Sequence, residues 1–191
     1  MHSNYSPDST TPLDALVRQA RDLEFDRIAL TDHGTAEGAL ELALREPGLA
    51  IVGEEVRTTE GEIIGLFLVD SIEPGGTPEE VVEEIHRQGG VSYVPHPLDP
   101  YRWHFSEERL LELAPRIDVV ETHNQWCRDD ANAAAVAIAR RMQKPGACGS
   151  DAHVAAHMAH CWLEIEEFDD AQGFLANLPH ARQVINARTR R

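Results

Sequence analysis

The chain has 191 residues, of which 42% are hydrophobic and 26% charged; this length allows one α/β domain with a substantial core and is too short for two full ones. Its formal net charge is −16, because 33 acidic residues oppose 17 basic ones, and long-range electrostatics therefore disfavour duplex nucleic acid or an anionic membrane as a partner. A small anionic substrate is compatible with this charge if bound metal ions supply local positive charge.

Three further features indicate a cytoplasmic protein. The longest apolar stretch, residues 63–69, is far too short to span a bilayer, and the polar residues 2–7 do not resemble a signal peptide. The cysteines Cys127, Cys148 and Cys161 have no paired spacing. Such a dispersed, odd set is typical of a reducing compartment and disfavours a zinc site built from cysteines.

The first half of the chain predicts helices and strands joined by short turns. Thr11 would cap the first helix, with Pro12 at its first position. Residues 59–61 form a turn between two strands. In chain order, we expect a helix over 13–24, a strand over 27–31, a helix over 36–44, and strands over 50–56 and 62–69.

The second half continues the alternation. Thr77 would cap a helix whose first turn contains Pro78. In chain order, we expect this helix to end at about 88, followed by a strand over 91–97, a helix over 106–114 and a strand over 118–122. A helix over 129–142, a strand around Cys148, a strand over 161–165 and helical turns from about 169 complete the prediction.

This alternation favours an α/β fold in which helices cover a parallel sheet. Without a linker or an internal repeat, residues 1–191 are predicted to form one domain, a barrel-like (β/α) arrangement of about seven strands. The carboxyl ends of strands carry the sites of such folds. Five potential ligands fall at these ends: His33, Glu55, His96, Glu121 and Asp151.

The local patterns around these residues differ in strength. On an extended backbone Asp151 and His153 would point the same way and could bind one metal ion together. Glu54 and Glu55 would face opposite sides of their strand, so only one can reach a site. Prolines on both sides of His96 predict an extended backbone that holds its imidazole rigidly.

Each residue alone has an ordinary explanation, such as a surface histidine in a turn for His33. Five strand ends that each offer histidine or a carboxylate are harder to attribute to chance. A histidine and carboxylate cluster without thiolates suits Mn²⁺, Fe²⁺ or Zn²⁺ and can hold two or more ions.

Five motifs resemble the PHP family, the polymerase and histidinol phosphatase domain of metal-dependent phosphoesterases. In family order they are residues 2–8 (HSNYSPD), 31–34 (TDHG), 53–55 (GEE), 96–97 (HP) and 149–153 (GSDAH). The resemblance implies a distorted (β/α)7 barrel and two or three divalent ions, Mn, Fe or Zn. It implies seven metal ligands, with Glu55 bridging: His2, Asp8, His33, Glu55, His96, Asp151 and His153.

Two other residues are candidates for contact with substrate. Arg102 resembles the basic residue that the family places beside the site, and as a catalytic phosphate clamp its planar fork would match phosphate oxygens. Its alternative is a surface ion pair with Asp99 or Glu107. Asn124 would either position substrate or cap the following loop.

The sequence departs from the family pattern in two places. The family motif begins with a histidine two positions before His2, so the first strand is truncated here. We expect the true start to lie upstream of Met1, because a barrel without that strand has an open edge; the alternative is a protein that lacks this ligand. Near Ile64, where many members carry another metal-binding histidine, Glu62 or a water would substitute, or one metal site is weaker.

The resemblance implies that a metal-activated hydroxide hydrolyses a phosphoester, since metal ions lower the pKa of bound water from about 15.7 to near 7. The acidic composition favours a small phosphomonoester or a nucleotide phosphate as substrate. One alternative is a non-catalytic metal-binding PHP domain with a structural or regulatory role, which the missing histidine supports. Another is a metal-dependent hydrolase of a non-phosphate ester or an amide.

Overall fold

The computed structural model describes residues 1–186, in which six strands form one curled sheet in chain order. The strands are β1 (Ile28–Leu30), β2 (Ala50–Arg57), β3 (Glu62–Leu66), β4 (Val91–Val94), β5 (Val119–Asn124) and β6 (Gly146–Gly149). Two more strands, β7 (Cys161–Glu164) and β8 (Arg182–Ile185), form a separate antiparallel hairpin.

Helices fill most of the connections between these strands. They are α1 (Leu13–Asp22), α2 (Glu37–Arg45), α3 (Pro78–Arg87), α4 (Glu107–Leu113), α5 (Asp129–Met142) and α6 (Ala171–Asn177), with 3₁₀ turns at Ala155–His160 and Leu178–His180. The predicted α/β class is confirmed. Within residues 1–186, no helix has the length and apolar character to cross a membrane.

The sheet is mixed, and the prediction of a parallel sheet is wrong at β3, which runs antiparallel to both β2 and β4. Only residues 58–61 join β2 to β3, whereas a parallel crossover needs a dozen residues or more. Thr58 stabilises the turn, since its Oγ1 accepts the Gly61 N–H at 3.0 Å. The other neighbouring pairs are parallel. Over residues 1–186 this sheet has six strands, so the predicted sevenfold count is not confirmed.

The first two residues lie between the end of β1 and the segment after β6. The Thr31 N–H donates to the Met1 carbonyl oxygen at 2.9 Å, and the His2 N–H donates to the Ala152 carbonyl oxygen at 2.8 Å. These bonds place the His2 side chain at the same end of the sheet as the residues that follow β1 and β6.

The two predicted helix caps have different outcomes. At α3 the prediction is confirmed: Thr77 and Glu80 form a reciprocal capping box, and Pro78 occupies the first turn. At α1 the prediction is wrong, because Pro12 occupies the cap position. The Thr11 hydroxyl instead donates to the His153 carbonyl oxygen at 2.8 Å, so this threonine ties the helix start to the loop after β6.

Alternate strand residues pack into separate hydrophobic clusters on the two faces of the sheet. Ile63 packs with Val82 of α3 and Leu110 of α4, whereas its neighbour Ile64 packs on the other face with Phe174 of α6. A third cluster holds α1 and α2 against β1. This packing follows from the two-residue period of a strand, and it leaves the strand ends for polar side chains.

Candidate metal centre

The seven predicted ligands come from five parts of the chain and gather at one end of the sheet. The N-terminal segment carries His2 and Asp8, His33 follows β1, Glu55 lies in β2, His96 follows β4, and Asp151 and His153 follow β6. The contacts between them form one continuous cluster.

One group of potential ligand atoms surrounds Asp8. Its Oδ2 lies 3.3 Å from His33 Nε2 and 3.0 Å from His153 Nε2. The His2 ring stacks between the rings of His33 and His153, at centroid distances of 4.6 and 4.4 Å. One ligand atom from each of these four residues lies within 4.8 Å of the others.

A second group is centred on Glu55, which is buried. Its Oε1 lies 3.1 Å from His96 Nε2, and its Oε2 lies 3.5 Å from His2 Nε2. Potential ligand atoms of His33, Glu55 and Glu62 lie within 4.8 Å of one another. His33 therefore belongs to both groups. Glu62, one of the alternatives that the sequence left open beside a water or a weaker metal site, lies within reach of this second group.

Glu54 and Glu55 point to opposite sides of β2, as strand alternation requires. Glu54 faces away from the cluster, and its Oε2 accepts the Ile72 N–H at 2.8 Å. Its Oε1 is buried and has no hydrogen-bond partner among residues 1–186. Burial raises the pKa of Glu54 to about 7.

Asp151 reaches the cluster from a backbone that is not extended. Its φ is +45°, and β6 already ends at Gly149, so the extended geometry predicted for Asp151 and His153 is wrong. Their closest side-chain atoms, Asp151 Oδ1 and His153 Nδ1, are still 3.7 Å apart. The Asp151 carboxylate also lies 3.2 Å from His2 Nε2 and 2.9 Å from Arg102 Nη2.

The backbone at His96 also differs from the prediction, since its φ is +28° and not extended. A buried carboxylate holds this turn: Glu121 Oε2 accepts the His96 N–H at 2.6 Å. Glu121 is fixed in turn by the Tyr93 hydroxyl and the Asn124 amide, each 3.0 Å away. Strained backbone of this kind persists only where its surroundings enforce it. The sequence placed Glu121 at a strand end but did not reveal this support for His96.

Arg102 lies at the mouth of the cluster, and neither of its predicted surface partners is its ion-pair partner. Its guanidinium pairs with Asp151, and the side chain is 29% exposed. Glu107 pairs with Arg141 instead, and Asp99 contributes a backbone carbonyl that accepts the Arg102 N–H at 3.1 Å. The arginine therefore faces the candidate ligands directly.

Asn124 is buried and engages both ends of its amide. Its Nδ2 lies 3.0 Å from Glu121 Oε2 and 3.5 Å from Asp151 Oδ2. Its Oδ1 accepts the Trp126 N–H at 2.9 Å. Asn124 thus orders the loop after β5, and its amide faces the carboxylates of the cluster.

The cluster is electrostatically paired. Burial alone would raise the pKa of Asp8, but the Ser6 hydroxyl and the nearby imidazoles lower it to about 2. Burial would also raise the pKa of Glu55, but the hydrogen bond and the charge of His96 lower it. Burial would lower the pKa of His96, but Glu55 raises it to about 9. Carboxylates of this kind are anionic at neutral pH and ready to accept a cation.

These residues fit divalent metal ions. The buried Nδ1 atoms of His2 and His96 have no hydrogen-bond partner within residues 1–186, which is unusual for buried polar atoms. Imidazoles and carboxylates without thiolates are the donor set that suits Mn²⁺, Fe²⁺ or Zn²⁺.

Comparison with models of known families shows which family the chain belongs to. A family model of the PHP domain matches residues 1–144, and a model described as PHP-associated matches residues 129–182. The chain belongs to the PHP family. The resemblance found in the sequence is confirmed, and membership of this family supports a metal-dependent hydrolase.

Two relatives of this PHP protein occur in Methanocaldococcus jannaschii. The uncharacterized protein MJ1587 is 37% identical over 126 residues, which cover 64% of this chain and 72% of the relative. The uncharacterized protein MJ0417 is 33% identical over 133 residues, which cover 66% of this chain and 55% of the relative.

Solved structures share the fold of this PHP domain. PsfC from Pseudomonas syringae superposes with a TM-score of 0.68 at 17% identity, over 91% of this chain and 82% of PsfC. A Bifidobacterium adolescentis protein, described as a metal-dependent phosphoesterase, has a TM-score of 0.64 at 16% identity, over 80% and 85% of the two chains. A Chromobacterium violaceum amidohydrolase solved with bound sulfate and no metal has the same TM-score and identity, over 80% and 86%.

Proposed function

We propose that this PHP domain hydrolyses a small phosphomonoester or a nucleotide phosphate at the cluster of His2, Asp8, His33, Glu55, His96, Asp151 and His153, with two or three divalent ions bound there. The observation that carries the proposal is the position of Arg102. In a chain of net charge −16, this guanidinium lies 2.9 Å from a cluster carboxylate.

Divalent ions in such a site lower the pKa of a coordinated water and offset the charge on phosphate oxygens. The carboxylates and imidazoles of the cluster would supply the ligands, with His33 in both groups and with Glu55 and Glu62 in the second. Tyr93 and Asn124 hold Glu121 on the His96 N–H, which keeps the His96 imidazole in place.

Arg102 would bind the phosphate and stabilise charge that develops on its equatorial oxygens. A guanidinium offers paired N–H donors that match two phosphate oxygens. Its present partner, Asp151, is acidic, so an anionic substrate and metal ions would redistribute these contacts. The name of the Bifidobacterium adolescentis neighbour, a metal-dependent phosphoesterase, supports this choice of substrate class, as does the sulfate, a tetrahedral oxyanion, in the Chromobacterium violaceum structure.

A second candidate keeps the metal ions and changes the bond that is cleaved. The Chromobacterium violaceum neighbour is an amidohydrolase by name, which favours an ester or amide substrate without phosphorus. Initial rates on an aryl phosphate, a nucleotide, an aryl ester and an anilide, each with Mn²⁺, Fe²⁺ or Zn²⁺ and with a chelator, separate the two. Metal-dependent turnover of the phosphate substrates alone is the expected result, and turnover of only the ester or anilide contradicts the proposal.

A non-catalytic, structural or regulatory PHP domain makes a different prediction in the same assay. Such a domain binds metal, which elemental analysis detects, but turns over none of the four substrates.

A further inference from the structure

A pocket of about 510 Å³ opens beside the candidate metal centre and shares Arg102 and His153 with it. Two large aromatic side chains, Tyr101 and Trp126, and a second arginine, Arg128, form other parts of its wall. The function proposed above uses only Arg102 and His153 from this wall, so the chemistry of the other lining residues bears on what is attached to the phosphate.

The two aromatic residues come from different loops and are unusually open to solvent. Tyr101, in the loop after β4, is 76% exposed, and Trp126, in the loop after β5, is 44% exposed. Large exposed aromatic rings beside a polar cleft are characteristic of ligand-binding surfaces.

Trp126 is held as a fixed platform. Its indole N–H donates to the Asp151 carbonyl oxygen at 2.9 Å. The edge-to-face contact with the His157 ring, at 4.8 Å between centroids and 62° between planes, supports it on one side. The indole is therefore anchored to a residue of the metal cluster, and it needs little further ordering before a planar ring stacks on it.

The same pocket is lined by two arginines, Arg102 and Arg128, and by one carboxylate, that of Asp99. Arg102 faces inward to Asp151, whereas Arg128 is 64% exposed and lies 3.2 Å from Asp130. A guanidinium in the same pocket as an aromatic ring can bind phosphate oxygens or the polar edge of a base.

We infer that the substrate is a nucleotide: its phosphate lies at Arg102 and the metal cluster, and its base stacks on Trp126 beside Tyr101. This inference rests on the proposed phosphoesterase function and selects the nucleotide among the small phosphoesters. Stacking of a base on an aromatic side chain contributes a factor of roughly 5 to 150 in binding, which is large enough to determine specificity.

The test compares AMP with ribose 5-phosphate, which carries the same phosphoester without the base. Trp126→Ala is expected to lower kcat/KM for AMP by roughly 5- to 150-fold and to change kcat/KM for ribose 5-phosphate by less than about twofold. Tyr101→Ala, at an exposed position, is expected to act in the same direction with a smaller loss.

The chain offers a matched control in Trp103. This residue is also 44% exposed, and its indole N–H also donates to a backbone carbonyl, that of Thr58 at 3.2 Å, but it does not line the pocket. Trp103→Ala is expected to leave the ratio of the two kcat/KM values unchanged. The inference would be overturned if Trp126→Ala lowered kcat/KM equally for both substrates and Tyr101→Ala had no effect. That result would show only that the loop after β5 is disturbed.

A binding readout keeps this result separate from the proposed function. AMP is expected to quench indole fluorescence in the metal-loaded wild type and in Trp103→Phe, but not in Trp126→Phe, and ribose 5-phosphate is expected to quench in none. If AMP is not hydrolysed but this pattern is observed, the nucleotide site stands and the phosphoesterase proposal fails. If both phosphoesters are hydrolysed but AMP quenches equally in all three proteins, the inference fails and the phosphoesterase proposal stands.

Discussion

Arg102 is the residue on which the phosphate proposal most depends, since its guanidinium is paired with Asp151 at the mouth of the cluster. We expect Arg102→Ala to lower kcat/KM on an aryl phosphate. The loss should correspond to about 2–4 kcal/mol of transition-state stabilisation, by analogy with the loss of one preorganised donor. Arg102→Lys should recover only part of this, because an ammonium cannot reproduce the planar fork.

The matched control is Arg141→Ala, which removes a surface ion pair with Glu107. Exposed pairs of this kind contribute less than about 1 kcal/mol to stability, so its kcat/KM should equal that of the wild type. Metal content by elemental analysis should be unchanged in all variants. An Arg102→Ala protein as active as Arg141→Ala would show that the arginine does not bind the phosphate.

We expect the stability of the protein to depend on pH through Glu54, because this residue is buried and one of its oxygens has no hydrogen-bond partner within residues 1–186. Its pKa of about 7 lies above the ordinary 4.5, so the folded state favours the protonated form. Its contribution to stability is therefore fully present below about pH 4.5 and is lost as the pH rises through about 7. Glu54→Gln should remove this dependence. The free energy of unfolding of the variant minus that of the wild type should therefore be roughly 1–3 kcal/mol larger at pH 8 than at pH 5.

Urea unfolding of the metal-free proteins at pH 5 and pH 8 measures this difference. Glu83→Gln, which changes an exposed glutamate of α3, controls for the loss of one negative charge. If both variants show the same pH dependence as the wild type, burial does not perturb Glu54.

At the scale of elements, the approach of β6 to β5 is set by Gly149. A methyl group on this residue would collide with Glu121 Oε1, whose partner oxygen accepts the His96 N–H. We expect Gly149→Ala to cost about 1–3 kcal/mol of stability, as overpacking does, and to lower metal affinity because Glu121 must shift away from His96.

Gly76→Ala is the matched control, since the nearest atom to its added methyl group would be Glu80 Oε2 at 3.4 Å, an ordinary contact with a flexible side chain. Chemical denaturation and metal titration of both variants provide the measurement. A Gly149→Ala protein with wild-type metal affinity would show that Glu121 does not position His96.

At the scale of the whole molecule, metal binding should increase the free energy of unfolding, because the proposed ligands come from five segments that meet only in the folded chain. A ligand that binds only the native state stabilises it by about 2.7 kcal/mol at 100 times its Kd. Adding Mn²⁺ or Zn²⁺ to chelator-treated protein should therefore raise the Tm, and His33→Ala should reduce the shift, because His33 belongs to both groups of ligand atoms.

His86→Ala is the control, since His86 on α3 lies away from the cluster and contacts Asp118 at 2.8 Å. Its metal-induced shift in Tm should match that of the wild type. Equal shifts in both variants would show that His33 is not a ligand.

The sequence by itself determined the features that depend on neighbours along the chain. Alternating apolar patterns predicted most helices and strands, Thr77 followed by Pro78 predicted the capped start of α3, and five short motifs in order predicted the family. Strand alternation also separated Glu54 from Glu55, although not which of them would face the cluster. These signals are local, and local geometry follows from residue type and spacing.

Tertiary structure decided what depends on residues that are far apart in the chain. The hairpin of β2 and β3 sets the direction of β3, and the bond from the distant Glu121 accompanies a positive φ at His96 where the flanking prolines predicted extension. Arg102 faces Asp151, 49 residues away, and not its near neighbours. Which charges pair is set by packing and burial across the whole fold, because a buried charge is stable only where distant elements bring it a partner.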